Sequence, residues 1–279
     1  MSPDYLVSCI ITTKNRPQFV IRAVKSVIEQ SYRNLEIILV DDSDERGTCD
    51  DVLRYDKKIK YVKNEKSSGA CYSRNLGISE SKGDFIAFLD DDDFWMPRKI
   101  ELQLKEAVRY PLVGCSYISC TEKSIERVLQ LGVINYEDML YYNYLGSCSF
   151  VLAQAAAIKK CRFDENRPAA QDWDMWLSIM QKNRIPQAYN VKEYLVSYNQ
   201  GVHSRITNTA KRDRALWTLY EKHNQEYTPF LKKMFVLYNF TKSDKWGLRG
   251  LEKARLKHKG LCFIIYVLFK RLFGEIVMI

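Results

Sequence analysis

Four short apolar runs limit what this chain can become. They occupy residues 6–11, 35–40, 59–62 and 85–89. Each is short, apolar and bounded by turn-forming residues, so each reads as a buried strand. Between them the periodicity changes. Asn15-Arg16-Pro17 opens a helix with proline at an early helical position, and Val20, Ala23, Val24, Val27 and Ile28 give it one apolar face. A second helix is expected near residues 50–55. A third follows Gly69 and carries Arg74, Asn75 and Ile78. Strands alternating with helices predict an α/β fold around a mostly parallel sheet flanked by helices.

In such sheets, ligands bind beyond the carboxyl ends of the strands. The first run breaks off into Thr12-Thr13-Lys14-Asn15, the second into Asp41-Asp42-Ser43-Asp44, and the fourth into Asp90, Asp91, Asp92 and Asp93. Polar and acidic residues therefore collect on one edge. Four consecutive carboxylates repel one another unless a cation is bound. Hard divalent cations such as Mg²⁺ or Mn²⁺ favour carboxylate oxygen. A solvated acidic turn is the alternative. No GxGxxG follows the first run and no GxxxxGK[ST] occurs, which disfavours a dehydrogenase-type dinucleotide site and excludes a P-loop.

Further on, a helix is expected over residues 98–110, a strand over 113–119 and another over 149–152. The tyrosine-rich stretch 136–144 suits a sugar-facing or packing surface. Gln171-Asp172-Trp173-Asp174-Met175-Trp176-Leu177 opens a helix with apolar positions continuing through Ile179 and Met180. Acidic residues in a first helical turn also serve as caps and dipole partners.

Charge is distributed unevenly along the chain. The total is +9, but residues 201–279 hold 16 Lys+Arg against 6 Asp+Glu, whereas residues 1–200 hold 27 against 28. A near-neutral body argues against nucleic acid as a partner, and a basic tail points to an anionic surface. From about residue 241, Lys and Arg alternate with Trp246, Leu248, Leu251 and Leu256, and the apolar run 261–269 precedes Lys270-Arg271. That run falls short of the roughly 20 apolar residues that a spanning helix needs. It reads as an interfacial anchor, with a terminal helix packed on the core as the alternative. The eight cysteines form no CxxC pair and no secretory leader opens the chain, so reduced thiols in a cytoplasmic protein are expected. With three histidines and none near a cysteine pair, no zinc site is expected.

Five segments together resemble the family 2 glycosyltransferases with a GT-A fold, particularly those building bacterial surface polysaccharides. They are Ile11-Thr12-Thr13-Lys14-Asn15-Arg16-Pro17, Val40-Asp41-Asp42-Ser43-Asp44, Gly69 with Ser73-Arg74-Asn75-Leu76-Gly77-Ile78, the stretch 83–97, and Gln171-Asp172-Trp173-Asp174-Met175-Trp176-Leu177. The resemblance implies a Rossmann-like α/β domain: a nucleotide-sugar half over residues 1–105, an acceptor half with the catalytic base over 106–205, and a helical basic and apolar tail over 206–279.

The resemblance also implies roles. Thr12 would lie beside the nucleotide base, and Lys14 stands where many relatives have a stacking aromatic residue. Asp42 would accept the N–H of a uracil ring. Arg74 would approach the base or the diphosphate. Asp90 would bind ribose, directly or through the metal, and Asp92 would coordinate Mn²⁺ or Mg²⁺. Asp91 falls on the variable position and reads as solvent-facing charge. Asp93 would orient the loop or contact the donor sugar. Asp172 would be the general base, with Asp174 as the alternative, and Gln171 stands where many relatives have Glu. His203 would ligate the metal or touch the diphosphate, with Arg205 adding positive charge; a loop histidine without duty is the alternative.

The implied activity is metal-dependent, inverting transfer of glucose or galactose from a UDP-sugar to a saccharide on a polyprenyl diphosphate. The product would be a β-linkage in O-antigen, lipopolysaccharide or capsule assembly, at the inner face of the cell membrane. Two other readings are a sugar-1-phosphate nucleotidyltransferase, whose glycine-rich loop is absent after the first strand, and a catalytically inactive membrane-associated scaffold.

Overall fold

A computed structural model of the chain describes residues 4–45, 52, 59–121, 124–130, 132–200 and 209–240. The helix expected near residues 50–55 lies largely outside the described residues. His203, Arg205 and the tail beyond residue 240 lie outside them as well. Strands β1 (Val7–Thr13), β2 (Leu35–Asp41), β3 (Lys60–Lys63) and β4 (Phe85–Asp90) fall on the four apolar runs. Helices α1 (Pro17–Ile28) and α2 (Ala70–Glu80) fall on the first and third expected helices.

The four strands form a parallel block in the order β3-β2-β1-β4. The apolar residues of β1 and β4 are buried on both faces, as in parallel sheets covered by helices. Gly77 lets α2 lie close against β1, since a Cβ there would come 2.4 Å from Ile10 Cγ2. Register does the rest. Thr12 pairs with Val40 and with Asp90, and Thr13 pairs with Asp41. The polar strand ends that lie far apart in sequence are therefore level in space.

Beyond the parallel block the sheet is mixed. Strand β9 (Leu152–Gln154) runs antiparallel to both β4 and β6 (Leu112–Cys120), and β6 pairs in parallel with the long β10 (Gln187–Asn199). The short strands β5 (Phe94–Trp95), β7 (Ile125–Val128) and β8 (Val133–Asn135) add antiparallel pairs at the margins. The strand expected at 149–152 begins later than its apolar pattern suggests. Residues Cys148–Phe150 form a 3₁₀ turn, and pairing starts at Leu152. Ser149 is diverted because its hydroxyl accepts from Asp90 N at 3.1 Å and its carbonyl from Trp95 Nε1 at 3.0 Å.

Helix α3 (Lys99–Ala107) covers β6, β9 and β10, and α4 (Tyr136–Tyr141) begins at a capping box formed by Asn135 and Asp138. Tyr141 and Tyr144 in the tyrosine-rich stretch are buried and in edge contact, so they pack the core instead of facing solvent. The short α5 (Ala155–Ile158) leads to α6 (Gln171–Lys182). Two further helices, α7 (Thr209–Lys222) and α8 (Pro229–Phe240), follow β10. Among the described residues no helix is long and apolar enough to cross a membrane. Cys9, Cys71, Cys115, Cys120, Cys148 and Cys161 are free thiols.

Candidate active site

A cleft of about 530 Å³ opens at the carboxyl ends of β1, β2 and β4 and is closed on its far side by the start of α6 and the end of β10. Thr12, Lys14, Asp42, Arg74, Asp90, Asp91, Asp92 and Asp172 all line it. The parallel register assembles the donor side, and α6 brings Asp172 from much later in the chain.

Asp42 anchors one end. Its carboxylate accepts from Ser68 N at 2.7 Å, Gly69 N at 2.9 Å, Asn64 Nδ2 at 2.6 Å and Ser67 Oγ at 3.1 Å. Burial alone would raise its pKa, but these donors overcome it and hold the group below the usual carboxylate range. Gly69 sits at φ 89°, a conformation open to glycine, and this turns its N–H toward Asp42 as α2 begins. Lys14 Nζ donates to Ser67 Oγ at 2.6 Å and lies 3.8 Å from Asp44.

The acidic run is a turn, closed by Asp93 N donating to Asp90 O at 3.1 Å. Its members differ sharply. Asp90 Oδ1 pairs with Arg74 Nη2 at 2.5 Å. Although burial works against its charge, Asp90 holds Arg74 above its ordinary basicity. Asp91 is not the solvent-facing charge expected. It is buried, and its Oδ2 accepts from Thr13 Oγ1 at 2.7 Å. Burial, with Asp92 and Asp90 nearby, pushes its pKa up to about 6 against the pull of Thr13 and Arg16. Asp93 is fully buried and accepts from Asn199 N at 2.9 Å, so it ties the turn to the end of β10. Burial first, and then Asp90, raise its pKa well above the usual range.

Arg16 also lines the cleft, although the sequence gives it no role beyond a helix opening and a place in the first family-like segment. Its guanidinium lies 3.2 Å from Asp91 and 3.3 Å from Asp92, while Arg22 Nη2 donates to Asp92 O at 2.6 Å. The carboxylates of the aspartate run thus meet two guanidinium groups of the chain itself, Arg16 and Arg74. Tyr198 and Asn199 also line the cleft. No local signal in the sequence points to them, because nothing in β10 marks where that strand ends in space.

Asp172 lies in the first turn of α6. Its Oδ1 accepts from Trp173 N at 2.7 Å, and burial raises its pKa to about 6, with Arg74 and Asp90 close enough to pull in opposite directions. The helix is pinned on two sides: Trp173 Nε1 donates to Met139 O at 2.6 Å and Trp176 Nε1 to Gly146 O at 3.1 Å. Asn75, beside Arg74, donates to Phe163 O at 3.0 Å and accepts from Phe163 N at 2.8 Å, which ties α2 to the segment leading into α6. Asp174, the alternative base, lies outside the cleft. It is buried among Arg167, Lys222 and His223, whose pairing more than offsets burial and holds its pKa low.

A profile of the family described as "Glycosyl transferase family 2" matches residues 8–161. The chain belongs to this family. The matched stretch carries every donor-side residue of the cleft and stops before Asp172. Among relatives of this family 2 chain is the putative colanic acid biosynthesis glycosyl transferase WcaA of Escherichia coli K12, 30% identical over 253 residues, covering 85% of this chain and 89% of the relative. Another is the UDP-Glc:alpha-D-GlcNAc-diphosphoundecaprenol beta-1,3-glucosyltransferase WfgD of Escherichia coli, 30% identical over 219 residues, covering 77% and 85%. Among solved structures, S. aureus TarS 1–349 in complex with UDP-GlcNAc superposes with a TM-score of 0.67 at 14% identity, covering 87% of this chain and 75% of that one. The mannosyltransferase PcManGT of Pyrobaculum calidifontis, in complex with GDP-Man and Mn²⁺, superposes with a TM-score of 0.63 at 14% identity, covering 97% and 80%. The family 2 chain therefore has the GT-A fold and is a glycosyltransferase.

The oxygen donors of the family 2 cleft suit a hard divalent cation. Among the described residues no three His, Cys, Asp or Glu groups form a complete protein cage. Mg²⁺ and Mn²⁺ sites built from one or two carboxylates and substrate phosphates do not require one. Asp90 and Asp92, whose side chains keep 29% and 25% of their surface exposed, have that character.

Proposed function

We propose that this glycosyltransferase moves a hexose, glucose or galactose, from a UDP-sugar to a saccharide carried on a lipid diphosphate, with inversion to a β-linkage, in bacterial surface polysaccharide assembly. The observation that carries the reading is the placement of Asp172. A carboxylate with its pKa raised to about 6 faces the same cleft as Asp90, Asp91 and Asp92. Such a group is ionised at neutral pH yet basic enough to take a proton. The naming of WfgD as a UDP-glucose and GlcNAc-diphosphoundecaprenol enzyme supports the substrate class.

In this reading Asp172 takes the proton of an acceptor hydroxyl as that oxygen attacks the anomeric carbon. The bond from that carbon to the diphosphate breaks, and UDP leaves with the electron pair. Asp90 and Asp92 would hold a divalent cation, which when bound would stabilise charge on the departing diphosphate, and His203, outside the described residues, is the further ligand that the resemblance implies. Arg74 adds fixed positive charge beside Asp90. Asp42 already accepts four hydrogen bonds. To accept a uracil N–H it would exchange the longest of them, from Ser67 Oγ, whose hydroxyl is also held by Lys14. Thr12 and Lys14 flank the base in this arrangement.

The division into donor half (1–105), acceptor half (106–205) and basic tail (206–279) belongs to the same proposal, as does peripheral attachment of the tail to the cytoplasmic face of the membrane. Relatives that act on lipid diphosphates support attachment. The test is a screen of UDP-sugars against lipid-diphosphate acceptors with Mn²⁺ or EDTA, read as UDP release and product linkage. UDP release that requires both lipid acceptor and Mn²⁺ is expected; release of pyrophosphate from UTP in its place would overturn the reading.

A further inference from the structure

Asp174 lies two residues beyond Asp172 on α6, outside the cleft, and only 1% of its side chain is exposed. Two cationic side chains and an imidazole from two other segments converge on it: Lys222 Nζ at 2.8 Å, Arg167 Nε at 3.5 Å and His223 Nε2 at 3.3 Å. Lys222 and His223 come from the end of α7. Arg167 precedes α6 and also donates to Ala215 O on α7 at 3.0 Å. Its own carbonyl accepts from Gln171 Nε2 at 2.9 Å. Between Arg167 and Gln171 the backbone passes through Ala170 at φ 54°, a left-handed conformation that a non-glycine residue adopts only where its surroundings enforce it.

We propose that Asp174 is a positioning residue, which locks the first turn of α6 to α7 and thereby aims Asp172 into the cleft. The proposal rests on Asp172 being the base. Asp172 is flanked by the two ends of one clamp: Gln171 donates a hydrogen bond to the Arg167 carbonyl, and Asp174 forms an ion pair with the Arg167 guanidinium. A buried ion cluster contributes little net stability relative to apolar residues of equal volume, yet breaking it is costly. What the cluster adds here is a fixed rotation of the helix. Trp173 and Trp176 hold α6 against its neighbours, but neither indole bonds the segment immediately before it. The clamp also makes α7, which lies outside the family-matched residues, part of the active-site scaffold.

The test uses the full chain and three variants: Asp174→Asn, Lys222→Met and Asp172→Asn. Lys222 is 42% exposed, so its replacement by an isosteric apolar chain leaves a folded protein even if Asp174→Asn does not. The readouts are UDP release from UDP-glucose with Mn²⁺ and a GlcNAc-diphosphate lipid, and UDP binding by calorimetry. Displacing a catalytic group by about 1 Å costs about 10²-fold in rate. The expected result is a kcat about 10²-fold lower in Asp174→Asn and about 10-fold lower in Lys222→Met, with UDP affinity within about twofold of wild type. Wild-type kcat in either folded variant, or kcat and UDP affinity falling together, would overturn the proposal. If Asp172→Asn keeps full activity, the base assignment fails instead; if only Asp172→Asn is impaired, the positioning role alone fails.

Discussion

Arg74 Nη2 lies 2.5 Å from Asp90 Oδ1 in a pair whose guanidinium is almost fully buried at the floor of the cleft. The pair joins α2 to the tip of β4. Arg74 Nε is buried and has no hydrogen-bond partner among the described residues. Asp90 keeps 29% of its side chain exposed, so removing Arg74 leaves a carboxylate that water partly screens, at a cost below the roughly 3–5 kcal/mol of a fully buried pair. Arg74→Met should therefore lower both unfolding stability, measured in urea, and UDP affinity, measured by calorimetry. Loss of UDP affinity with stability unchanged would show that the pair carries no structural weight.

Asp172→Asn should keep UDP binding and lose transfer by about 10²–10⁴-fold. The wild-type rate should fall on the acid side with a midpoint near 6, since the raised pKa means the base form is present above that value and lost as pH falls through it. The stability consequence has the opposite sign. The ionised form is disfavoured in the folded state, so the penalty is fully present above pH 6 and vanishes below the ordinary carboxylate pKa near 4. At pH 7.5 the Asn variant should melt higher than wild type, by about 2 °C if the relief is about 1 kcal/mol. A lower melting point would contradict the assignment.

Asp92→Ala should abolish the difference in UDP release between Mn²⁺ and EDTA. Arg16→Gln should act in the other direction. It removes the cation that lies 3.3 Å from Asp92, so Mn²⁺ titrated without nucleotide should bind more tightly. Weaker Mn²⁺ binding in Arg16→Gln would mean that the guanidinium organises the turn and does not compete with the metal.

Gly77→Ala should destabilise the fold by about 1–3 kcal/mol, because its methyl group would overlap Ile10 at the α2–β1 contact. Equilibrium urea unfolding measures this directly; a neutral result would mean that α2 shifts freely away from β1.

Much of the donor side is legible in the order of residues alone. The four apolar runs become β1 to β4 because a buried parallel strand needs only a continuous apolar stretch, and their polar ends have to meet on one edge once the strands pair in parallel. Asp42, Arg74, Asp90, Asp92 and Asp172 each stand in a local motif. The strand expected at 149–152 is displaced because Ser149 is held by Asp90 and Trp95, contacts that no periodicity encodes. Arg16 escapes notice for a similar reason, since its partners lie about 75 residues further along the chain.

The polar edge of the sheet, the family and the position of the acidic cluster are all readable in the order of residues. How the members of that cluster differ depends on the folded environment of each. Asp91 and Asp93 look like Asp90 and Asp92 in one dimension, yet the first pair is buried and the second stays partly exposed. The same holds for Asp172 and Asp174, two residues apart, of which one faces the cleft and the other packs against Arg167, Lys222 and His223. A carboxylate's role follows from its desolvation and its neighbours, and in each of these cases the deciding neighbours come from segments distant in the chain.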